Sequence, residues 1–167
     1  MLPDIAQQGV HNFFNNIRDI TTLINSALQL SPEKTFITTG RLMVNTTVGL
    51  LGLIDVGSSI DLPRQQEDFG QTLGHYGVGI GPYLVLPIYG PSNLRDTTGL
   101  LTDSVVMSAI DPLNLDGHPQ RQIAYYTLYP IDLRAHVNFR YYETGSPFEY
   151  EFVRMLYTTK RKMDIEK

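Results

Sequence analysis

Asp68-Phe69-Gly70-Gln71-Thr72-Leu73-Gly74-His75-Tyr76-Gly77-Val78-Gly79-Ile80-Gly81-Pro82-Tyr83-Leu84-Val85-Leu86-Pro87 is the stretch on which the reading of this chain turns. A short helix running from polar to apolar residues meets glycines at 74, 77, 79 and 81. A proline-bounded apolar ribbon, Tyr83 to Leu86, follows, and no charged residue comes before Arg95. Glycine adopts backbone angles that other residues avoid and loses more entropy when ordered. A series of them in one segment implies a bend that is either tight or mobile. An apolar, hairpin-like loop on such a hinge suits a protein that handles greasy ligands or lies against lipid.

Upstream, residues Asp4 to Leu30 carry Ile5, Val10, Phe13, Phe14, Ile17, Ile20, Leu23, Ile24, Ala27 and Leu28 at spacings of three and four. That period predicts a helix, with a break or bend near Arg18-Asp19. Ser31-Pro32-Glu33 reads as a helix start, with a capping serine, proline at the first helical position and a carboxylate in the first turn. The helix is expected to run toward Leu50. Gly49 and Gly52 would share one of its faces and permit close helix crossing, or mark a loosened helix end, since helical glycine costs about 1 kcal/mol. Gly57-Ser58-Ser59 reads as a turn, Asp61 to Arg64 as a loop, and Arg64 to Gly74 as a short helix.

Downstream, Pro82, Pro87 and Pro91 exclude helix and leave an irregular segment or brief hairpin from Gly77 to Pro91. Ser92 reads as the cap of a helix from Asn93 to about Ile110, and Asp111 to Pro119 as a loop. Two helices are expected next, Gln120 to Tyr129 and Ile131 to Tyr142, separated by Pro130. Ser146-Pro147 opens a last helix with Phe148, Phe152, Val153 and Leu156 on one side. Its basic end, Lys160, Arg161, Lys162 and Lys167, suits the helix dipole and also anionic headgroups. Asp164 and Glu166 dilute it, which favours the dipole role. The expectation is a mainly α chain of six or seven helices, one domain over residues 1–167, with a single Gly/Pro-rich hairpin-like loop.

Hydrophobic residues make up 42% of the 167 and charged residues only 18%, with a net charge of −4. That charge argues against nucleic acid, which calls for a basic footprint. There are ten tyrosines and no tryptophan; tyrosine joins an apolar ring to a wet tip, as at membrane interfaces. With no cysteine, disulfides, thiolate metal sites and cysteine nucleophiles are excluded. The least polar long window, Leu42 to Ile60, contains Asn45 and Asp55. Such groups are costly at mid-bilayer, so this window is not read as a spanning helix.

Familiar chemistries fail on context. Gly77-x-Gly79-x-Gly81 leads into Pro82-Tyr83 and an extended ribbon, whereas a dinucleotide fingerprint opens a helix. His11, His75, His118 and His136 form no i, i+4 pair, so no metal or cofactor is indicated. His75, beside the glycines, is positioned to titrate near a headgroup or simply to satisfy hydrogen bonds. No Gly-x-Ser-x-Gly elbow is present. Asp55, Glu67, Asp68, Asp96 and Asp103 suit helix-end anchoring or a polar wall.

Several of these residues resemble a known family in order and spacing. They are Asn45-Thr46-Thr47-Val48-Gly49, Gly52-Leu53-Ile54-Asp55, Asp68 to Gly74, Gly81 to Pro87, Gly90-Pro91-Ser92 and Arg95-Asp96. In this the chain is similar to the MlaA (VacJ) family of outer-membrane lipoproteins. A signal peptide, a lipidated cysteine and an Asn/Phe-rich N-terminal segment have no counterpart here, so Met1 is expected to match an interior point of the family.

The resemblance implies a ring of amphipathic helices in the periplasm-facing leaflet of the outer membrane around an amphiphilic channel. It implies removal of misplaced phospholipid from the outer leaflet to a soluble periplasmic carrier, with trimeric porins as membrane partners and no enzymatic step. On that reading Asn45, Thr46, Asp68, Arg95 and Asp96 belong to the polar lining or its scaffold. Gly77, Gly79 and Gly81 form a hinge, and Tyr83, Leu84, Val85, Leu86 and Ile88 the apolar loop at the channel mouth. The rival readings are a phospholipid or peptidoglycan hydrolase using Ser92 or His75, and a porin-binding adaptor whose channel is incidental.

Overall fold

The computed structural model describes residues 3–87, 89–136 and 148–166. The fold is mainly α. In order come α1 (Asp4–Leu28), α2 (Pro32–Thr47), α3 (Val56–Ser59), α4 (Phe69–His75), β1 (Tyr83–Leu86), β2 (Gly90–Asn93), α5 (Leu94–Ile110), α6 (Pro119–His136) and α7 (Glu149–Glu166). The described residues gather into two compact units. The first runs to Asp68 and takes in Val106–Asn114; the second holds Phe69–Val105 and continues from Leu115.

In the first unit α1 packs against α2. The expected break at Arg18-Asp19 is absent, and α1 is continuous. Asp19 is 1% exposed and turned toward Arg41 and Arg64, so its charge is held from the side without interrupting the helix. Proline at the first position starts α2, and the Ser31 carbonyl takes the Thr35 N–H at 3.0 Å, while the Ser31 side chain makes no capping bond.

The second helix stops at Thr47, short of Leu50. Gly49 N–H reaches back to the Val44 carbonyl and Gly52 N–H to the Asn45 carbonyl, and Leu50 and Leu51 have φ of 53° and 60°. The two glycines therefore lie beyond the helix, not on one of its faces. Gly52 has φ of 92°, and a Cβ there would strike the Asn16 side chain. The close approach comes from a left-handed turn seated on α1.

Gly57-Ser58-Ser59 belongs to the single turn α3, not to a plain turn. Asp55 caps it, taking the Ser58 N–H at 3.2 Å and hydroxyl at 2.6 Å. The expected helix from Arg64 begins only at Phe69. The preceding residues are anchored instead: Arg64 pairs with Asp19, and Glu67 takes Gln29 Nε2 at 3.0 Å and Lys34 Nζ at 2.7 Å.

The second unit contains an antiparallel hairpin pairing Tyr83 with Asn93 and Leu86 with Gly90. Ser92 is a strand residue, not a cap. The start of α5 is capped by Asn93, whose Oδ1 accepts the Asp96 N–H at 2.8 Å while its Nδ2 donates to Asp96 Oδ2 at 2.7 Å. This reciprocal pairing satisfies groups that a helix start leaves open.

Pro130 lies inside one helix, α6, and does not separate two. The expected continuation to Tyr142, the Ser146-Pro147 start and Ile88 lie outside the described residues. On α7, Val153 is buried, but Phe152 and Leu156, and Phe148 just before the helix, are exposed, and Arg161 of the basic end is buried. The expected apolar side is thus mostly an outer surface, and one of the cations is internal.

Backbone contact fixes α4 against α5. A Cβ on Gly99 would land on the Gly70 backbone, and one on Gly70 would meet Asp96 Oδ1 and Arg161 Nη2. Gly99→Ala is therefore expected to destabilise the second unit by about 1–3 kcal/mol, the usual cost of overpacking. Urea melts followed by tyrosine fluorescence would measure it, and an unchanged midpoint would refute the contact.

Candidate functional site

The two units share an unusual distribution of polarity. Among the described residues, the buried hydrophobics are Phe14, Ile17 and Val153. The buried polar set is far larger, and in the first unit it forms a seam. From α1 come Asn16, Asp19, Thr22, Asn25 and Ser26, with Gln29 just beyond its end; from α2 come Thr38, Arg41 and Asn45. Meanwhile Leu30 is 80% exposed, Phe36 77% and Met43 65%. Water-facing proteins ordinarily turn this arrangement the other way. Among the described residues, no helix is long and apolar enough to cross a membrane.

Arg41 is the hub of the seam. Its Nη1 donates to the Leu62 carbonyl at 2.5 Å and to Ser58 Oγ at 3.1 Å, and its Nη2 to Asp55 Oδ1 at 2.9 Å. Burial alone would raise the Asp55 carboxyl, but the Ser58 and Arg41 bonds outweigh it and hold the carboxyl below its usual range. Asp19 behaves oppositely. Burial pushes its carboxyl up and outweighs the opposing charge and bonds of Arg64 and Arg41, at 3.4 and 3.5 Å. Of the residues singled out from sequence, Asn45 and Thr46 belong to this seam. Asn45 donates to Asp55 at 3.2 Å and accepts the Gly57 N–H at 2.8 Å; Thr46 Oγ1 accepts Asn16 Nδ2 at 3.0 Å. Asp68 is half-buried immediately before α4.

Arg95 and Asp96 meet in a second cluster, within the second unit. Arg95 Nε and Nη2 both donate to Asp96 Oδ1, at 3.0 and 2.9 Å. Oδ2 takes Asn93 Nδ2, the Tyr157 hydroxyl at 2.7 Å and Arg161 Nε at 2.8 Å. Burial would raise this carboxyl, but the bonds from Arg161, Tyr157 and Arg95 outweigh it and leave it lowered. Burial and the bond to Asp96 push the Tyr157 phenol up. Two guanidiniums thus share one carboxylate. Sequence reading passed over Tyr157, Arg41 and Gly99, and placed Arg161 at a basic helix end. No local motif marks any of them, because their partners lie 14 to 65 residues away.

Gly77 and Gly81 have φ of 85° and 65°, and a Cβ on Gly77 or Gly79 would meet nothing within 4 Å. In the ribbon, Tyr83, Leu84 and Leu86 are half-buried and Val85 is exposed. Tyr83 packs edge-on to Tyr150 and Tyr157, with centroids at 5.5 and 6.4 Å. The Ser92 hydroxyl lies 3.0 Å from Thr97 Oγ1 and contacts the Asn93 carbonyl and Tyr157.

A model of the MlaA lipoprotein family matches residues 1–164. A Rickettsia felis protein is 44% identical over 111 residues, covering 66% of this chain and 43% of that protein. The intermembrane phospholipid transport system lipoprotein MlaA of Escherichia coli strain K12 is 39% identical over 105 residues, covering 61% of this chain and 42% of the relative. A solved structure described as a structural basis for maintenance of bacterial outer membrane lipid asymmetry is similar with a TM-score of 0.75 and 29% identity. That likeness covers 98% of this chain and 82% of the other. The matched part spans less than half the length of these curated relatives. With the family match running from the first residue to Asp164, the chain belongs to the MlaA lipoprotein family.

Proposed function

We propose that this chain is the membrane-embedded part of a phospholipid transporter that serves lipid asymmetry in the outer membrane. It lies within one leaflet, without spanning it. The observation that carries this reading is the inverted polarity: a charged and hydroxylic interior beneath outward Leu30, Phe36 and Met43. In hydrocarbon, apolar side chains gain nothing by packing inward, whereas buried polar groups hold helices together. The Escherichia coli relative, an intermembrane phospholipid transport system lipoprotein, and the lipid-asymmetry structure support the same reading.

Transport of this kind breaks no bond. It needs a polar lane for the headgroup and an oily surface for the tails, because each methylene exposed to water costs about 0.8 kcal/mol. Asn45, Thr46, Asp68, Arg95 and Asp96 are assigned to the lane or its scaffold, chiefly the scaffold in view of their bonded partners. The hairpin strand Tyr83–Leu86 gates the mouth, swinging on Gly77, Gly79 and Gly81. A trimeric porin on the membrane side and a soluble lipid carrier in the periplasm complete the route.

Gly79→Pro tests the gate. Position 79 lies outside the left-handed region and a Cβ there meets nothing within 4 Å, and proline restricts φ and so stiffens the hinge. Normal protein level with phospholipid accumulating in the outer leaflet is the expected outcome. Unchanged outer-leaflet phospholipid would remove the hinge from the mechanism. Release of lysolipid or fatty acid by the pure protein would replace transport with hydrolysis.

A further inference from the structure

We propose that a pocket between the hairpin and α7 is a headgroup site for zwitterionic glycerophospholipid, Arg154 taking the phosphate and Glu151 the ammonium. This rests on the transport reading above and adds to it a place and a ligand class.

The pocket has a volume of about 300 Å³ and belongs wholly to the second unit. That is the low end for small-molecule sites, about 300–1,000 Å³, so it accommodates a headgroup and the start of the tails but not two acyl chains. Ile80 and Tyr83 form the apolar wall on the hairpin side, with Met155 opposite on α7. Arg154, Thr158 and Thr159 supply one cation and two hydroxyls. Positions 151, 154, 155, 158 and 159 recur at helical spacing and so share one face of α7. The lining is thus mixed, with Ile80, Tyr83 and Met155 apolar and Arg154, Thr158 and Thr159 polar, as a lipid's glycerol region requires.

Charge selects the ligand. Arg154 Nη1 and Glu151 Oε2 lie 3.7 Å apart, with side chains 52% and 66% exposed. An exposed pair at that separation contributes little, so both groups are available to a ligand. A guanidinium binds a phosphodiester through two parallel bonds. Beneath the pocket, Asn93 is clamped to Asp96, where Arg95 and Arg161 face one carboxylate. Within the pocket lining itself Arg154 is the cation, and it is the group that would take a phosphate. Glu151 disfavours a second anion and favours an adjacent ammonium. Hydroxyls of Thr158 and Thr159 complete the donors for phosphate oxygens.

The test uses the full-length protein, in vesicles of phosphatidylethanolamine and phosphatidylglycerol in equal parts. A photoreactive phenylalanine replaces Met155 or, as a hairpin reference, Val85. Crosslinks from position 155 enriched in phosphatidylethanolamine are expected. Arg154→Ala, at an exposed position that should leave the fold intact, is expected to lower that yield about tenfold, the effect of losing a charge-assisted bond. Glu151→Gln is expected to abolish the preference between the two lipids while keeping the crosslink. Lipid captured at 85 but not at 155 overturns the pocket and leaves transport standing. Equal capture of both lipids by the unaltered 151/154 pair overturns the zwitterionic assignment. Capture at neither position overturns both readings.

Discussion

Asp96→Asn is expected to unfold the second unit under conditions where the parent is folded. The side chain keeps its shape and loses its charge, which strands Arg95 and Arg161 in a buried setting. Removing one partner of a buried ion pair costs about 3–5 kcal/mol, a large share of the 5–15 kcal/mol typical of a folded domain. Tyrosine near-ultraviolet dichroism reports on this unit through Tyr83, Tyr150 and Tyr157. Arg161→Met should cost less, because Asp96 keeps Arg95. The double variant should cost less than the sum, since contacting residues couple; strict additivity would show that the two side chains act independently.

The same carboxylate sets a pH dependence. Its folded pKa is lowered, so its contribution is fully present above the unfolded value, about 3.9, and disappears as pH falls through the folded value. Asp19 has the opposite sign. Its raised folded pKa makes the folded state bind a proton more readily, so on acidification its contribution rises before that of Asp96 is lost. Acid titration is therefore expected to disrupt Tyr157 and Arg161 contacts only below about pH 4. Loss of the tyrosine signal already near neutrality would refute the role assigned to Asp96.

Arg41→Ala is expected to be equally severe in the first unit. It removes three donated bonds and leaves the buried Asp19 facing Arg64 alone and the Leu62 carbonyl without its guanidinium. A loss of about 3–5 kcal/mol follows from the broken buried pair. Arg41→Lys is expected to recover little, because an ammonium lacks the planar fork that reaches Leu62, Ser58 and Asp55 together. Chemical denaturation in detergent measures both. Full stability of the lysine variant would mean that charge alone, without fork geometry, suffices.

Local chemistry was legible wherever partners are close in sequence. Pro32 at the start of α2, the prolines that exclude helix around the ribbon, and the three- and four-residue period of α1 act over a single turn, and each element formed. Boundaries slipped where a distant side chain intervened. Arg64 and Glu67 belong to bonds with α1 and α2, so α4 starts late. Ser92 lost the capping role to Asn93 because strand pairing extends through both residues.

The amino-acid order by itself determined that the chain is mainly helical, where its Gly/Pro-rich hairpin falls, and which family it resembles, because period, proline and glycine act through the local backbone. Tertiary structure alone decided which stripe of each helix turns inward. Periodicity records that two faces differ, not which solvent each prefers, and here the polar one is buried. Arg41 and Asp96 became hubs for the same reason. A charge is tolerated inside only when partners from distant segments converge on it, and that convergence exists only in three dimensions.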